Sequence, residues 1–82
     1  MNYIFSQHAL EQMKRRNIEQ SQVFQVLKYP DKIIKQENIS IYQASVDLSG
    51  NYYLLRVFVN TEKQPPLIIT VYKTSKFSKY EN

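Results

Sequence analysis

Cysteine is absent from this sequence of 82 residues, and glycine and histidine each occur once. Without cysteine, the chain can form neither disulfide bonds nor thiolate metal sites. The single histidine has no second imidazole or paired carboxylate at ligand spacing, which disfavours any other metal site. One glycine cannot build the glycine-rich loop that holds a nucleotide triphosphate. We therefore expect a protein that uses no metal and no cofactor.

Long apolar runs are also missing from the sequence. No segment approaches the roughly 20 apolar residues that a membrane-spanning helix needs. The N-terminus lacks the basic region and long apolar stretch of a secretory signal. These two absences predict a cytoplasmic protein that does not interact with membranes.

Basic residues are plentiful by contrast, with 11 lysines and arginines against 7 acidic residues and a formal net charge of +4. Electrostatic attraction and counterion release favour an anionic partner for such a chain, and nucleic acid is the commonest one. A chain of this length buries only about 60% of its unfolded surface, which leaves no apolar material for a second core. We therefore expect one domain covering residues 1–82.

Helical periodicity dominates the first third of the chain. Ser6 can cap a helix over residues 7–16, because its hydroxyl can accept from an amide in the first turn. Asn17 tolerates the left-handed conformation that ends helices. A second helix is expected over about residues 19–29, and Pro30 would end it.

Alternating patterns follow, and they predict four strands at residues 32–36, 39–47, 52–60 and 67–72. The turn between the second and third of these uses the only glycine, Gly50, where a positive φ would strain other residues. Residues 73–82 are expected to form a short basic tail. The element order predicts an α+β fold in which two N-terminal helices pack on a four-stranded antiparallel sheet.

The residues also allow a chemical hypothesis. Cutting RNA without a metal needs a base for the 2′-hydroxyl, cations for the phosphorane oxygens and an acid for the leaving 5′-oxygen. Histidine is the residue type whose unperturbed pKa, about 6.5, suits proton transfer at neutral pH, so His8 is the candidate base or acid. Arg16 and Arg56 would hold the phosphate, because a guanidinium can bond two oxygens at once. Lys73 and Lys76 would add positive charge.

Each of these residues also has an ordinary structural explanation. A single histidine near a helix start is commonly a surface residue, and a run of cations at a helix C-terminus is commonly a solvated face. Most of the seven tyrosines, Tyr52 among them, are expected to supply half-buried sheet area. Only Tyr72 and Tyr80, beside the terminal lysines, are candidates for stacking on bases or bonding to phosphate.

Four segments resemble a known family: FSQHALEQMKRRNI, YPDKI, YLLRV and IITVYKTSKFSKY. Together they resemble a small branch of the RelE/ParE-type toxin superfamily that is related to BrnT-like toxins. This resemblance extends over nearly the whole chain. It implies a fold of the barnase, EndoU, colicin D and RelE type. It also implies a ribonuclease that is the toxin of a type II toxin–antitoxin pair, with a cognate antitoxin as its partner.

The resemblance also assigns residues. It implies roles for His8, Arg16, Arg56 and the run at residues 70–76, while Gln12 and Asn17 replace an arginine and a glycine that are common in the family. Arg15 lies close enough to substitute for the arginine lost at Gln12. The predicted site therefore has His8, Arg16, Arg56 and Lys73 as catalytic residues, and Arg15, Tyr72, Thr74, Lys76 and Tyr80 as substrate-binding residues.

The leading hypothesis is a metal-independent endoribonuclease that cleaves RNA, free or on the ribosome, through attack by the 2′-hydroxyl. The replacement at Gln12 favours an alternative, a non-catalytic module that binds nucleic acid or a protein target. A third hypothesis is an inactive toxin remnant that only sequesters its antitoxin. The enzymatic hypothesis expects His8, Arg56 and the C-terminal lysines to line one concavity wide enough for a phosphate.

Overall fold

The computed structural model describes residues 2–80. Its elements, in chain order, are β1 (Ile4–Phe5), α1 (Gln7–Arg16), α2 (Gln20–Lys28), β2 (Lys32–Gln36), β3 (Ile39–Leu48), β4 (Asn51–Asn60), β5 (Leu67–Thr74) and a 3-10 turn (Phe77–Tyr80). The boundaries predicted for the two helices and four longer strands are confirmed to within about two residues. The end of the predicted tail, residues 81–82, lies outside the described part of the chain.

The sheet has five strands in the order β1-β5-β4-β3-β2, and β1 pairs with β5 in parallel. The prediction of a four-stranded antiparallel sheet is therefore wrong, although the fold is α+β. The strand missed by the prediction, β1, has two residues, which are too few to show any periodicity. Pairing across the chain defines it: the Ile4 amide donates to the Pro66 carbonyl over 3.0 Å and the Ser6 amide to the Ile68 carbonyl over 2.9 Å.

Local sequence signals set the ends of α1. The Ser6 hydroxyl accepts from the Ala9 amide at 3.0 Å, as expected of an N-cap. Asn17 adopts the left-handed conformation with φ 56° and ends the helix. Both predictions about this helix are confirmed.

The tight turn between β3 and β4 is also where the sequence predicts it. Ser49 and Gly50 both have positive φ, at 56° and 83°. Two such residues in succession match the twist of the strands that they join. The turn pairs Leu48 with Asn51, and it thereby sets the register along the whole β3–β4 hairpin.

Both helices pack on one face of the sheet, which we call the helical face. There α1 lies against β5, and α2 lies against β3 and β4. Side chains from both layers form the core: Ala9, Met13, Ile18, Val23, Val26, Leu27, Ala44, Leu55, Val57, Val59, Ile68 and Val71. Among the described residues no helix is long and apolar enough to cross a membrane.

The opposite face of the sheet, here called the outer face, carries alternate residues of the same strands. Its middle row runs across the sheet through Lys32, Gln43, Arg56 and Tyr72, which are register partners on neighbouring strands. The 3-10 turn follows β5 and brings Tyr80 back onto this row, since its ring lies over the Arg56 guanidinium. The 3-10 turn thus contributes Tyr80 to the outer face.

Candidate functional site on the outer face of the sheet

Polar and aromatic side chains from three strands and the C-terminal turn meet at the middle of the outer face. We call this group the outer-face cluster and define it as Gln43, Arg56, Tyr72 and Tyr80. Antiparallel pairing of β4 with β3 and β5 places Arg56 between Gln43 and Tyr72. The cluster thus joins three residues of the predicted site that are far apart in the sequence.

Arg56 is held in place from two sides. Its Nε donates to Oε1 of Gln43 at 3.1 Å, and Gln43 is only 5% exposed. The guanidinium carbon lies 4.2 Å from the centre of the Tyr80 ring and 5.3 Å from that of Phe58. A neutral amide and two aromatic faces orient the guanidinium without neutralising its charge. Among the hydrogen bonds found in residues 2–80, only Nε of this group is used, so both Nη groups can bond to an anion.

Tyr72 stands beside Arg56 with its ring 38% exposed. Its ring centre lies 6.4 Å from that of Tyr80, edge to face at 68°. The pKa of Tyr72 is lowered from its usual value, above all by a hydrogen bond with the Tyr80 side chain. Burial opposes this shift, whereas the Thr74 hydroxyl and the charges of Lys79 and Arg16 add to it. Tyr72 therefore reaches its phenolate form more easily than a free tyrosine does.

The last turn of α1 reaches the same region. Arg16 is exposed there, and its charge and that of Lys79 act on the Tyr72 phenol. Arg15 is exposed on the same turn, although no contact with the cluster is recorded for it. One cation from α1 and one from the C-terminal turn therefore act on Tyr72.

Lys73 has a different position from its neighbour Tyr72. It pairs with Leu55 on the helical face, and its Nζ donates to the Arg16 carbonyl at 2.8 Å. The same ammonium lies 4.8 Å from the centre of the Tyr53 ring. Lys73 thus connects β5 to the end of α1, while alternation along the strand directs Tyr72 and Thr74 to the outer face.

His8 lies at the start of α1 and is exposed. A helix rises about 1.5 Å per residue, so His8 is about 12 Å along the axis from Arg16, which is near the cluster. No contact recorded among residues 2–80 joins the imidazole to Arg56, Tyr72 or Tyr80. The expected grouping of His8 with the strand arginine is therefore absent from the contacts of the described residues.

The remaining predicted residues lie just after β5. Thr74 is on the outer face, paired with Leu54, and its Oγ1 accepts from the Lys76 amide at 3.1 Å. This bond shapes the turn that leads the chain back to Tyr80. Lys76 itself is exposed.

Gln43 and Lys79 were missing from the predicted site. The sequence does contain a signal for Gln43. A two-residue turn at Ser49 and Gly50 pairs Leu48 with Asn51. With this register, the residue opposite Arg56 on the neighbouring strand is Gln43. The role of Lys79 depends on the turn after β5, which no sequence pattern revealed.

Two cavities of the described chain lie away from this cluster. One is lined by Tyr3, Phe24, Leu27 and Lys28, and the other lies between the two helices and the β3–β4 turn. Neither cavity is lined by a member of the outer-face cluster. Within residues 2–80, no three histidine, aspartate or glutamate side chains are grouped to hold a metal ion.

Comparison with known proteins assigns the chain to a family of domains. No curated protein and no solved structure matches this chain. The family of domains of unknown function called DUF4258 matches residues 5–73. This range runs from β1 to β5 and includes Arg56 and Tyr72, while Tyr80 lies beyond it. Because the match covers most of the chain, this protein belongs to the DUF4258 family.

Proposed function

We propose that this protein is a metal-independent endoribonuclease and that its substrate binds across the outer-face cluster. The observation that carries the proposal is the contact of Arg56 with Tyr80, beside a Tyr72 phenol whose pKa is lowered. An oriented cation next to an acidified hydroxyl group is what cleavage of a phosphodiester without a metal requires. In biological terms we propose a cytoplasmic toxin of the RelE/ParE-type superfamily, kept inactive by a cognate antitoxin.

In the proposed complex, positively charged side chains bind a phosphate group of the RNA. The Nη groups of Arg56 can bond to two oxygens of one phosphate, and Arg16 and Lys79 add positive potential around it. Because Tyr72 is partly exposed and its ring contacts that of Tyr80, a base next to the bound phosphate can stack on Tyr72 or Tyr80.

The chemical step uses the two phenols in opposite protonation states. Tyr72, as phenolate, takes the proton of the ribose 2′-hydroxyl, and the 2′-oxygen attacks the phosphorus. Arg56 stabilises the charge that develops on the phosphorane oxygens. The bond to the 5′-oxygen breaks, and the Tyr80 hydroxyl donates a proton to that oxygen. The products are a 2′,3′-cyclic phosphate and a 5′-hydroxyl, with no metal or co-reactant involved.

This assignment changes the role of His8. The sequence made His8 the candidate base, but its position about 12 Å along α1 from Arg16 favours Tyr72 instead. His8 is then an exposed residue outside the chemical step.

Cleavage of single-stranded RNA by the purified protein, with a chelator present, tests the proposal. We expect Tyr72→Phe to slow cleavage by about 10²- to 10⁴-fold, the usual contribution of a general base. Arg56→Ala should slow it by at least about 10²-fold, whereas His8→Ala should cleave at nearly the wild-type rate.

The matched control is Tyr29→Phe, which removes an exposed phenol that follows α2 on the helical side. Wild-type protein that leaves RNA intact, free or on ribosomes, would overturn the nuclease proposal. A large loss of activity in His8→Ala with little loss in Tyr72→Phe would restore the imidazole as the base.

A second candidate is a module that binds RNA without cutting it. The isolation of His8 from the cluster favours it, because the residue type best suited to proton transfer at neutral pH is then unused. This candidate predicts RNA that is bound but uncut, and affinity that falls in Arg56→Ala but not in Tyr72→Phe. Growth inhibition on expression would then survive His8→Ala and be lost when Arg16 is reversed to glutamate.

A further inference from the structure

Tyr52 is the most exposed large apolar residue in the described chain, at 69%. The sequence pattern predicted that its ring would be half-buried, and that prediction is wrong. Tyr52 lies near the end of the β3–β4 hairpin, on the outer face with Leu54 and Arg56, because residues two apart on a strand share a face. The exposed ring is therefore on the same surface as the outer-face cluster.

Asp47 is the cross-strand partner of Tyr52. Directly opposed side chains of an antiparallel pair have Cβ atoms about 5 Å apart and point to the same side. Asp47 is exposed as well. A flat aromatic surface and a carboxylate thus stand side by side in solvent.

The distance between this pair and Arg56 suits a polymer. Four steps along a strand at about 3.4 Å each place Tyr52 about 14 Å from Arg56. Leu54 lies between them and is only 7% exposed. A strand of RNA held at Arg56 can therefore pass over a covered apolar side chain and reach the Tyr52 ring with a neighbouring nucleotide.

We propose that Tyr52 and Asp47 form a base subsite that selects guanine in single-stranded RNA. The inference rests on the proposed function, since it extends the same bound strand beyond Arg56. Tyr52 supplies the stacking surface, and Asp47 reads the edge of the stacked base. Recognition of this kind requires a base that is unpaired and turned outward, which excludes a duplex as the substrate.

The chemistry of Asp47 decides which base fits. An ionised carboxylate only accepts hydrogen bonds, so it needs a partner with donors. The Watson–Crick edge of guanine presents the N1–H and the N2 amino group side by side, and one carboxylate can accept from both. Adenine presents its amino group next to the N1 lone pair, which the carboxylate repels. Guanine is therefore the base with the best match.

The same negative charge also sets the path of the strand. Asp47 repels phosphate, whereas Arg56, Arg16 and Lys79 attract it. The phosphate backbone of the RNA is thus held at the outer-face cluster, and only the base approaches the end of the β3–β4 hairpin. The arrangement separates the part of the surface that binds backbone from the part that reads sequence.

Binding of short 2′-O-methyl oligonucleotides tests this subsite, because they have no 2′-hydroxyl to attack and stay intact. The two probes are uridine oligomers that carry either one guanine or one adenine at the same position. Wild-type protein should bind the guanine probe about tenfold more tightly. Tyr52→Ala should weaken this binding by about tenfold or more, the usual effect of losing one stacking residue, while Tyr52→Phe should keep the affinity.

Asp47→Asn tests whether the Asp47 carboxylate recognises the edge of the stacked base. We expect this variant to bind the two probes with nearly equal affinity. The asparagine amide can donate a hydrogen bond to N1 of adenine, and it lacks the negative charge that strengthens the hydrogen bonds from guanine. If Tyr52→Ala and Asp47→Asn leave affinity and preference unchanged while Arg56→Ala abolishes binding, the subsite is disproved and the phosphate site remains. If wild-type protein binds neither probe, this inference is overturned, and cleavage of unmodified RNA then tests the proposed function separately.

Discussion

The positive charge of Arg56 is not offset within the sheet, because its hydrogen-bond partner there is the neutral amide of Gln43. A carboxylate in the same position would have neutralised the guanidinium and left little attraction for an anion. The apolar strand around Arg56 predicts that this residue either faces solvent or meets a partner such as Asp47 or a phosphate. The register excludes Asp47 from that role, because this residue lies opposite Tyr52.

Tyr72 allows a test that does not depend on activity. Since its pKa is lowered chiefly by the hydrogen bond with Tyr80, one tyrosine should titrate below the usual pH of that residue type. An ultraviolet absorbance titration should lose this early phase in Tyr72→Phe. In Tyr80→Phe the phase should move to higher pH, because the largest cause of the shift is gone.

Tyr29→Phe serves as the control for the titration and should retain the early phase. The rate of RNA cleavage should rise with pH along the same phase, since the phenolate is the active form of a base. A titration in which Tyr72→Phe and wild type coincide would contradict the lowered pKa.

At the scale of elements, Ser6 joins α1 to the sheet. Its Oγ accepts from the Ala9 amide at 3.0 Å and donates to the Ile69 carbonyl at 2.7 Å. One hydroxyl thus caps the helix and ties its first turn to β5. Because α1 starts at this point, the same bonds fix the direction in which the helix carries Arg16 towards the cluster.

Ser6→Ala removes both bonds and should lower the free energy of unfolding by about 1–2 kcal/mol. Chemical denaturation measures the change. Ser6→Thr keeps a hydroxyl and should remain close to wild type. Ser6→Asp can still cap the helix but, once ionised, cannot donate to Ile69, so it should be less stable than Ser6→Thr. Equal midpoints for Ser6→Ala and wild type would show that the cap contributes nothing.

The strand β5 shows why the faces of this element were hard to predict. Ile68 and Val71 are both buried, although their spacing is not that of a regular strand. The register with β4 shifts between Phe58 and Val59, which leaves Ile69 as an additional residue. Because of this additional residue, the side chains after the bulge alternate in the opposite phase to those before it. Tyr72 therefore lies on the outer face.

At the scale of the whole molecule, the net charge of +4 favours an anionic partner, and we propose that the distribution of this charge determines where RNA binds. Arg16 approaches the cluster from the first helix, and Lys79 approaches it from the C-terminal turn. Their positions along the chain are far apart. Only the folded protein brings their charges to one surface.

Two charge-reversal variants distinguish the effect of the net charge on RNA binding from the effect of where a charge lies. Arg16→Glu and Lys63→Glu each replace one positive charge with one negative charge, which lowers the formal net charge from +4 to +2. Arg16→Glu should weaken RNA binding strongly and reduce the slope of log affinity against log salt by about 1. Lys63→Glu, in the exposed loop after β4, should change both quantities far less. Equal losses in the two variants would mean that binding follows net charge alone.

The sequence by itself determined the two helices, both caps of α1, the four longer strands, the β3–β4 turn and the surplus of positive charge. These features depend on neighbouring residues, whose spacing and backbone preferences are readable along the chain. Only the tertiary structure decided the pairing of β1, the bulge opposite Phe58, the return of Tyr80 onto Arg56 and the distance of His8 from that cluster. Each of these depends on contacts between residues distant in sequence, for which one chain carries no local signal.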